Sequence, residues 1–285
     1  MRNLSDINTI KELLRKHGFT FSKALGQNFI IDPNICPQMA EMCGADSGVG
    51  VIEIGSGIGV LTTELAQRAD KVVCIELDQR LLPILNETLS DFNNITIINE
   101  DVLKVDLLKL IEEQFSGLEV VVCANLPYYI TSPIIMNILE AKLPVKSITV
   151  MVQKEAAGRL CAEAGTREVG AVTIAVRYYS EPQILFGVDR TSFMPSPDVD
   201  SSVIKFDILP TPPIKVNDEK IFFKVVKAAF AQRRKTLNNT LSSSLGMSKQ
   251  EIADILEKAE LKPTSRAEEL SMEQFATLAN LFAVL

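Results

Sequence analysis

Between residues 49 and 152 the chain alternates two apolar patterns. Short β-branched runs at 49–54, 71–75, 95–98, 118–124 and 147–152 are apolar at nearly every position. Between them, residues 60–68, 80–89, 107–115 and 133–142 repeat apolar side chains at helical spacing. Strands of four to seven residues alternating with helices of about ten predict βαβ units and a parallel sheet. The helix near Pro133 is expected to start on a Thr131 or Ser132 cap, with proline in its first turn. After residue 180 the period changes. Segments 184–188 and 203–208 read as strands joined by DRTSFMPSPDVDSS, and VIKFDI alternates as a half-exposed antiparallel edge pair would. LPTPPIK reads as a linker, and 221–231, 234–245, 249–259 and 272–282 as helices. Two domains are expected: α/β over 1–208 and a small all-helical domain over 214–285.

Composition adds little to this until charge is mapped along the chain. The 285 residues are 47% hydrophobic and 23% charged, ordinary for a globular protein. No run approaches the ~20 apolar residues of a membrane helix. The opening MRNLSDINTIKELLRKHG is charged throughout and carries no apolar signal core, so a cytoplasmic location is expected. Five scattered cysteines without CxxC spacing read as reduced core residues. The single histidine, His17, leaves no zinc set and no Ser/His or Cys/His pair, and is expected to close a first helix before Gly18. No metal is expected, and the absence of a heptad or an exposed repeat suggests a monomer. The net charge of −7 is unevenly spread. Residues 28–214 carry thirteen basic and twenty-five acidic groups, whereas 215–266 carry eleven basic and six acidic. Lys220, Lys224, Lys227, Arg233, Arg234 and Lys235 form the densest basic patch, a hint of an anionic partner.

Two motifs carry chemistry. The run 49–54 ends in Gly55-Ser56-Gly57-Ile58-Gly59, and an acid, Glu76, ends the next strand. Glycines here permit a tight strand-to-helix turn and close approach of a ligand, while the acid can accept ribose hydroxyls. That fits NAD and S-adenosylmethionine equally. A further acid, Asp101, ends the third strand and could accept from an adenine amine, which favours S-adenosylmethionine. The fourth strand ends in Asn125-Leu126-Pro127-Tyr128. An aromatic amine is a poor nucleophile because its lone pair is delocalised. The Asn125 side-chain oxygen and the Leu126 carbonyl could hold its N–H groups and stabilise developing positive charge. Pro127 would fix the backbone, and Tyr128 could stack on the base. Phe193, on the proline-stiffened FMPSP loop, is the candidate for a second stacking face.

The stretches SKALGQNFIID (22–32), EIGSGIG (53–59), NLPYYIT (125–131), QKEAAGRL (153–160), FMPSPDVDSSVI (193–204), AFAQRRKTLNN (229–239) and RAEELS (266–271) recur in order. With Glu76 and Asp101, they resemble the KsgA-type small-subunit ribosomal RNA adenine dimethyltransferases over nearly the whole chain. The resemblance implies a Rossmann-like class I S-adenosylmethionine-dependent methyltransferase sheet with a small C-terminal helical domain. It implies N6 dimethylation of two adjacent adenines in the 3′-terminal hairpin loop of 16S rRNA, with a role in 30S biogenesis. The family's cofactor positions fall on Asn28, Ile30, Gly55, Glu76, Asp101 and Asn125, with Gly57 in the same turn. Gln27-Asn28-Phe29 becomes a lid, and the basic patch a surface for RNA phosphates. Where this chain has Ser56, the family more often has proline. Related methyltransferases of 23S rRNA, DNA adenine methyltransferases and a non-catalytic assembly factor are the competing readings.

Overall fold

A computed structural model describes residues 3–22 and 25–284. Lys23 and Ala24 of the SKALGQNFIID stretch lie outside the described residues. The elements run α1 (Ile7–Lys16), β1 (Phe29–Ile30), α2 (Ile35–Met42), β2 (Val49–Ile54), α3 (Val60–Ala66), β3 (Lys71–Ile75), α4 (Leu82–Thr88), β4 (Ile95–Ile98), α5 (Leu107–Gln114), β5 (Glu119–Asn125), α6 (Thr131–Glu140), β6 (Ser147–Gln153) and α7 (Lys154–Leu160). They continue with α8 (Ala171–Tyr179), β7 (Ser180–Val188), β8 (Phe193–Met194), β9 (Ser201–Ile208), α9 (Glu219–Phe230), α10 (Leu237–Leu245), α11 (Lys249–Lys258) and α12 (Met272–Phe282).

The main sheet has the order β4-β3-β2-β5-β6-β9-β7. The five strands from β4 to β6 pair in parallel, and β9 joins β6 antiparallel. Every residue of β2 is buried, as a central parallel strand covered on both faces requires. The chain leaves β2 for β3 on one side and later returns to β5 on the other. That reversal opens a crevice at the carboxyl ends of β2 and β5, where sheets of this kind bind ligands. A two-residue antiparallel ribbon, β1 with β8, pairs Phe29 with Met194 and Ile30 with Phe193.

The chain divides into two compact units. One runs from the N-terminus to Ala157 and resumes over Pro182–Ile208, while the other comprises Gly158–Glu181 and the chain from Leu209 onward. Residues 158–181 therefore group with the helical unit rather than with the α/β unit. The reason is aromatic packing. Tyr178 stacks on Phe222 at 5.1 Å between ring centroids, and Tyr179 on Phe223 at 5.5 Å. Both hydroxyls reach the Glu219 carboxylate, at 3.3 and 2.9 Å.

Four local expectations change. Segment 201–208 is not at the sheet edge: β9 lies between β6 and β7 and is mostly buried, and β7 is the outer strand. The end of the proline-rich segment is held, since Asn280 accepts from Asn217 N at 2.7 Å and donates to the Lys215 carbonyl at 3.3 Å, beyond what a linker reading implies. Helix α6 starts at Thr131 after Ile130, with no side-chain cap. The Thr131 hydroxyl instead turns back to the Pro127 carbonyl at 3.3 Å. Finally, α10 begins at Leu237, so Arg233, Arg234 and Lys235 stand in the turn before it. His17 closes α1 as expected, and Glu87 meets its Nε2 at 2.8 Å. All five cysteines are free, and four are buried.

Candidate active site

A cleft enclosing about 1100 Å³, open mouth included, lies at the carboxyl ends of β2, β3, β4 and β5. It is built by the glycine turn, the strand-end acids, the segment before β1 and the Asn-Leu-Pro-Tyr turn, all within the α/β unit.

The turn after β2 needs glycine. Gly55, Gly57 and Gly59 have φ of +75°, +58° and +92°, in the left-handed region that side chains disfavour. A Cβ on Gly57 would also press to 3.3 Å from the Phe29 ring. Between them, Ser56 lines the cleft, and its buried hydroxyl has no hydrogen-bond partner among the described residues. An orphan hydroxyl in a ligand-sized cleft is a group waiting for an acceptor.

The acids differ in state. Glu53, 1% exposed, accepts from the Thr62 hydroxyl at 2.6 Å and the Cys74 thiol at 3.4 Å. Burial pushes its pKa up to about 7, against the lowering effect of those two donors. Glu76 is also buried, and burial raises its pKa while backbone donors oppose the shift. Its Oε2 accepts from Gly57 N at 3.0 Å and its Oε1 from Asp78 N at 2.9 Å. Each oxygen keeps a lone pair for a further donor. Asp101 lines the cleft half-buried, with Oδ1 accepting from Leu103 N at 3.0 Å. No described donor reaches its Oδ2.

Asn125, the last residue of β5, donates from Nδ2 to the Asn28 carbonyl at 3.4 Å, and the Asn28 side chain donates to Gly26 O at 3.1 Å. That fixes the amide with Oδ1 free of any described donor. Leu126 is buried and donates its N–H to Met151 O at 3.2 Å. Its carbonyl accepts from no described residue, because the next turn bonds to Pro127 O instead. Two consecutive residues that line one cleft therefore each carry an acceptor that no described donor uses. The Tyr128 ring is pinned by a 2.7 Å hydrogen bond between its hydroxyl and Ser201 Oγ.

Asn28, Ile30, Gly55, Gly57, Glu76, Asp101, Asn125, Leu126, Pro127 and Tyr128 are thus brought together. Phe193 is not. It is 3% exposed, packed in the core and paired in register across the ribbon with Ile30, outside the cleft lining. An apolar ring at the junction of ribbon and sheet gains more by burial than by facing an open cleft. The sequence reasoning missed Tyr129, which lines the cleft and is 58% exposed. It also missed Leu77 and Val102, apolar residues that directly follow the acids Glu76 and Asp101 and line the same space. An apolar residue after each strand-end acid was the available signal.

In the helical unit, Lys220, Lys224 and Lys227 lie on one face of α9, opposite buried Phe222, Val225 and Val226. With Arg233, Arg234 and Lys235 they are all exposed, and none forms an ion pair among the described residues. Among those residues, too, no helix is long and apolar enough to cross a membrane, and no cluster of three potential ligands could hold a metal ion.

The model of the ribosomal RNA adenine dimethylase family matches residues 18–283. Proteins named ribosomal RNA small subunit methyltransferase A from Bacillus mycoides and Bacillus cereus are each 50% identical over 284 residues, covering 98% of this chain and 97% of theirs. Among solved structures, a 23S rRNA methyltransferase, ErmE, matches with a TM-score of 0.67 and 25% identity, over 90% of this chain and 99% of its own. A Plasmodium falciparum dimethyladenosine transferase matches in fold, with a TM-score of 0.71 and 24% identity over 88% and 95%.

Proposed function

Because this chain belongs to the ribosomal RNA adenine dimethylase family, we propose that it transfers methyl groups from S-adenosylmethionine to N6 of two adjacent adenines. Their place is the 3′-terminal hairpin loop of 16S rRNA in the small ribosomal subunit or its precursor. The observation that carries this reading is the pair of unused acceptors, Asn125 Oδ1 and the Leu126 carbonyl, at the carboxyl end of β5 beside the glycine turn.

S-adenosylmethionine supplies an electrophilic methyl group on a sulfonium. The residues that would hold it are Glu76 for the ribose hydroxyls, Asp101 for the adenine amine, and Leu77 and Val102 for the ring faces. Gly55 and Gly57 admit it to the turn, Asn28 and Ile30 wall it in, and the Ser56 hydroxyl gains the acceptor it lacks. The target amine is held by Asn125 and Leu126, whose acceptors orient the N6 lone pair and stabilise the positive charge that develops there. Methyl transfer would leave S-adenosylhomocysteine as the neutral thioether, and the charged nitrogen would then lose its N–H proton to water, so no separate base is required before transfer. Pro127 fixes the carbonyl's direction, and Tyr128, anchored on Ser201, supports one face of the base. The second face is assigned to exposed Tyr129 rather than to Phe193, which acts on the cleft only through its pairing with Ile30. In the helical unit, the six exposed cations track RNA phosphates.

Primer extension on 16S rRNA from a strain lacking this gene tests the proposal. Loss of the methylation stop at the adenine pair, restored by the gene, is the expected result. A stop that persists in the deletion strain would overturn the assignment.

A further inference from the structure

The segment that walls the cleft before β1 is held by one side chain that bonds in both directions. Gln27 accepts from Ser22 N at Oε1, at 2.9 Å, and donates from Nε2 to Asp78 Oδ2 at 2.6 Å. Asp78 is only 6% exposed and is further saturated by Arg80. Arg80 Nε and backbone N donate to its Oδ1 at 2.9 and 3.1 Å, and Arg80 NH2 donates to its Oδ2 at 2.6 Å. Arg80 in turn lies 5.0 Å from the centroid of the Phe19 ring and donates to Thr20 O at 3.3 Å. Phe19, Phe21 and Phe29 pack on one another at 5.2–6.1 Å.

This network would be ordinary loop anchoring but for its other end. The Asp78 backbone N–H donates to Glu76 Oε1, and the second Glu76 oxygen accepts from Gly57. A continuous hydrogen-bonded path therefore runs from the glycine turn through Glu76 and Asp78 to Gln27, the neighbour of Asn28. It joins three separate stretches of chain that line the same cleft.

We propose that Asp78 is a positioning residue that latches the Gln27–Asn28 segment across the cleft, so that it governs the retention of S-adenosylmethionine rather than the rate of methyl transfer. The proposal rests on the reading of the cleft as the cofactor site. A charge-assisted hydrogen bond at 2.6 Å between two partly enclosed groups is the strong kind, and without Gln27 the Asp78 Oδ2 keeps only its Arg80 donor while the 25–30 segment loses its tie.

Gln27→Met keeps the length of the side chain and removes both hydrogen bonds, while Gln27→Glu sets a second carboxylate against Asp78. Calorimetry with S-adenosylmethionine should give a Kd raised about tenfold for Gln27→Met and further for Gln27→Glu. The KM for cofactor should follow, while kcat at saturating cofactor changes less than about twofold. In an Asp78→Ala background, Gln27→Met should add little, because its partner is already gone. In the ligand-free protein, amide exchange over residues 25–30 should quicken in Gln27→Met. Wild-type affinity in both Gln27 variants would overturn the latch, as would a joint fall of affinity, kcat and thermal stability. If the wild-type protein failed to bind S-adenosylmethionine, the functional reading would fall. The exchange measurement would then decide the latch alone: unchanged exchange in Gln27→Met refutes it.

Discussion

At the scale of single residues, the cleft carries acceptors that no described donor uses. Asn125→Ala removes one of two that hold the target amine, and its turnover should fall about 10²–10³-fold. Cofactor affinity should fall far less than turnover, because Glu76 and Asp101 are untouched. Equal loss of both, by single-turnover kinetics and calorimetry, would remove the role given to the amide. The two aromatic candidates separate in the same way. Tyr129→Ala should raise the KM for small subunits by about five- to a hundredfold, the worth of one stacked base, at unchanged stability. Phe193→Ala should instead cost about 3–5 kcal/mol of stability, measured by urea denaturation. Glu53 gives a pH signature. Its folded pKa stands raised to about 7 from an ordinary 4.5, so the folded state disfavours its ionised form. Its contribution is therefore fully present at low pH and is lost as pH rises through 7. Glu53→Gln should gain stability relative to wild type as pH rises from about 4.5 to about 7 and hold that gain above it, whereas a constant difference throughout would contradict the burial account. That Asn125, Glu76 and Asp101 share one cleft was legible because each stands at or just past the carboxyl end of a strand. Phe193 was misplaced because a motif's spacing does not reveal which side chain of a two-residue ribbon faces inward.

At the scale of elements, the parallel strands were readable nearly to the residue, since continuous β-branched runs between helical periods have few other interpretations. The β1–β8 ribbon was not, because two residues carry no period. Segment 201–208 was misjudged for a related reason. Its alternation suggested an edge, but pairing with β6 and β7 buries most of the strand. One close approach within the sheet invites a direct test. Gly50 of β2 faces Phe115, which is 2% exposed, and a Cβ at Gly50 would fall inside that ring's van der Waals surface. Gly50→Ala should destabilise the protein by about 1–3 kcal/mol through overpacking. Gly50→Ala with Phe115→Leu should recover part of that loss. No effect of the first substitution in urea melts would refute the close approach.

At the scale of the whole chain, the α/β unit is acidic and the helical unit carries a cationic surface. The charge asymmetry was visible in the sequence, as were most helices of the C-terminal unit. The assignment of residues 158–181 to that unit was not, since it depends on Tyr178 and Tyr179 meeting Phe222 and Phe223 across about forty residues of chain. Replacing Lys220, Lys224 and Lys227 together by alanine should weaken small-subunit binding and flatten its salt dependence. The slope should change by about 0.7–0.9 per lost phosphate contact. An unchanged slope would remove this face from the RNA interface. The central claim is that this cleft dimethylates a pair of adenines in small-subunit RNA. Its most direct test is methyl transfer from labelled S-adenosylmethionine to undermethylated 30S subunits, with 23S rRNA and duplex DNA in parallel, and mass spectrometric mapping of the product. The prediction is dimethyladenosine at two adjacent adenines of the 16S 3′-terminal hairpin, with little label in the other substrates. Label confined to 23S rRNA or to DNA, or none in 30S subunits, would contradict it.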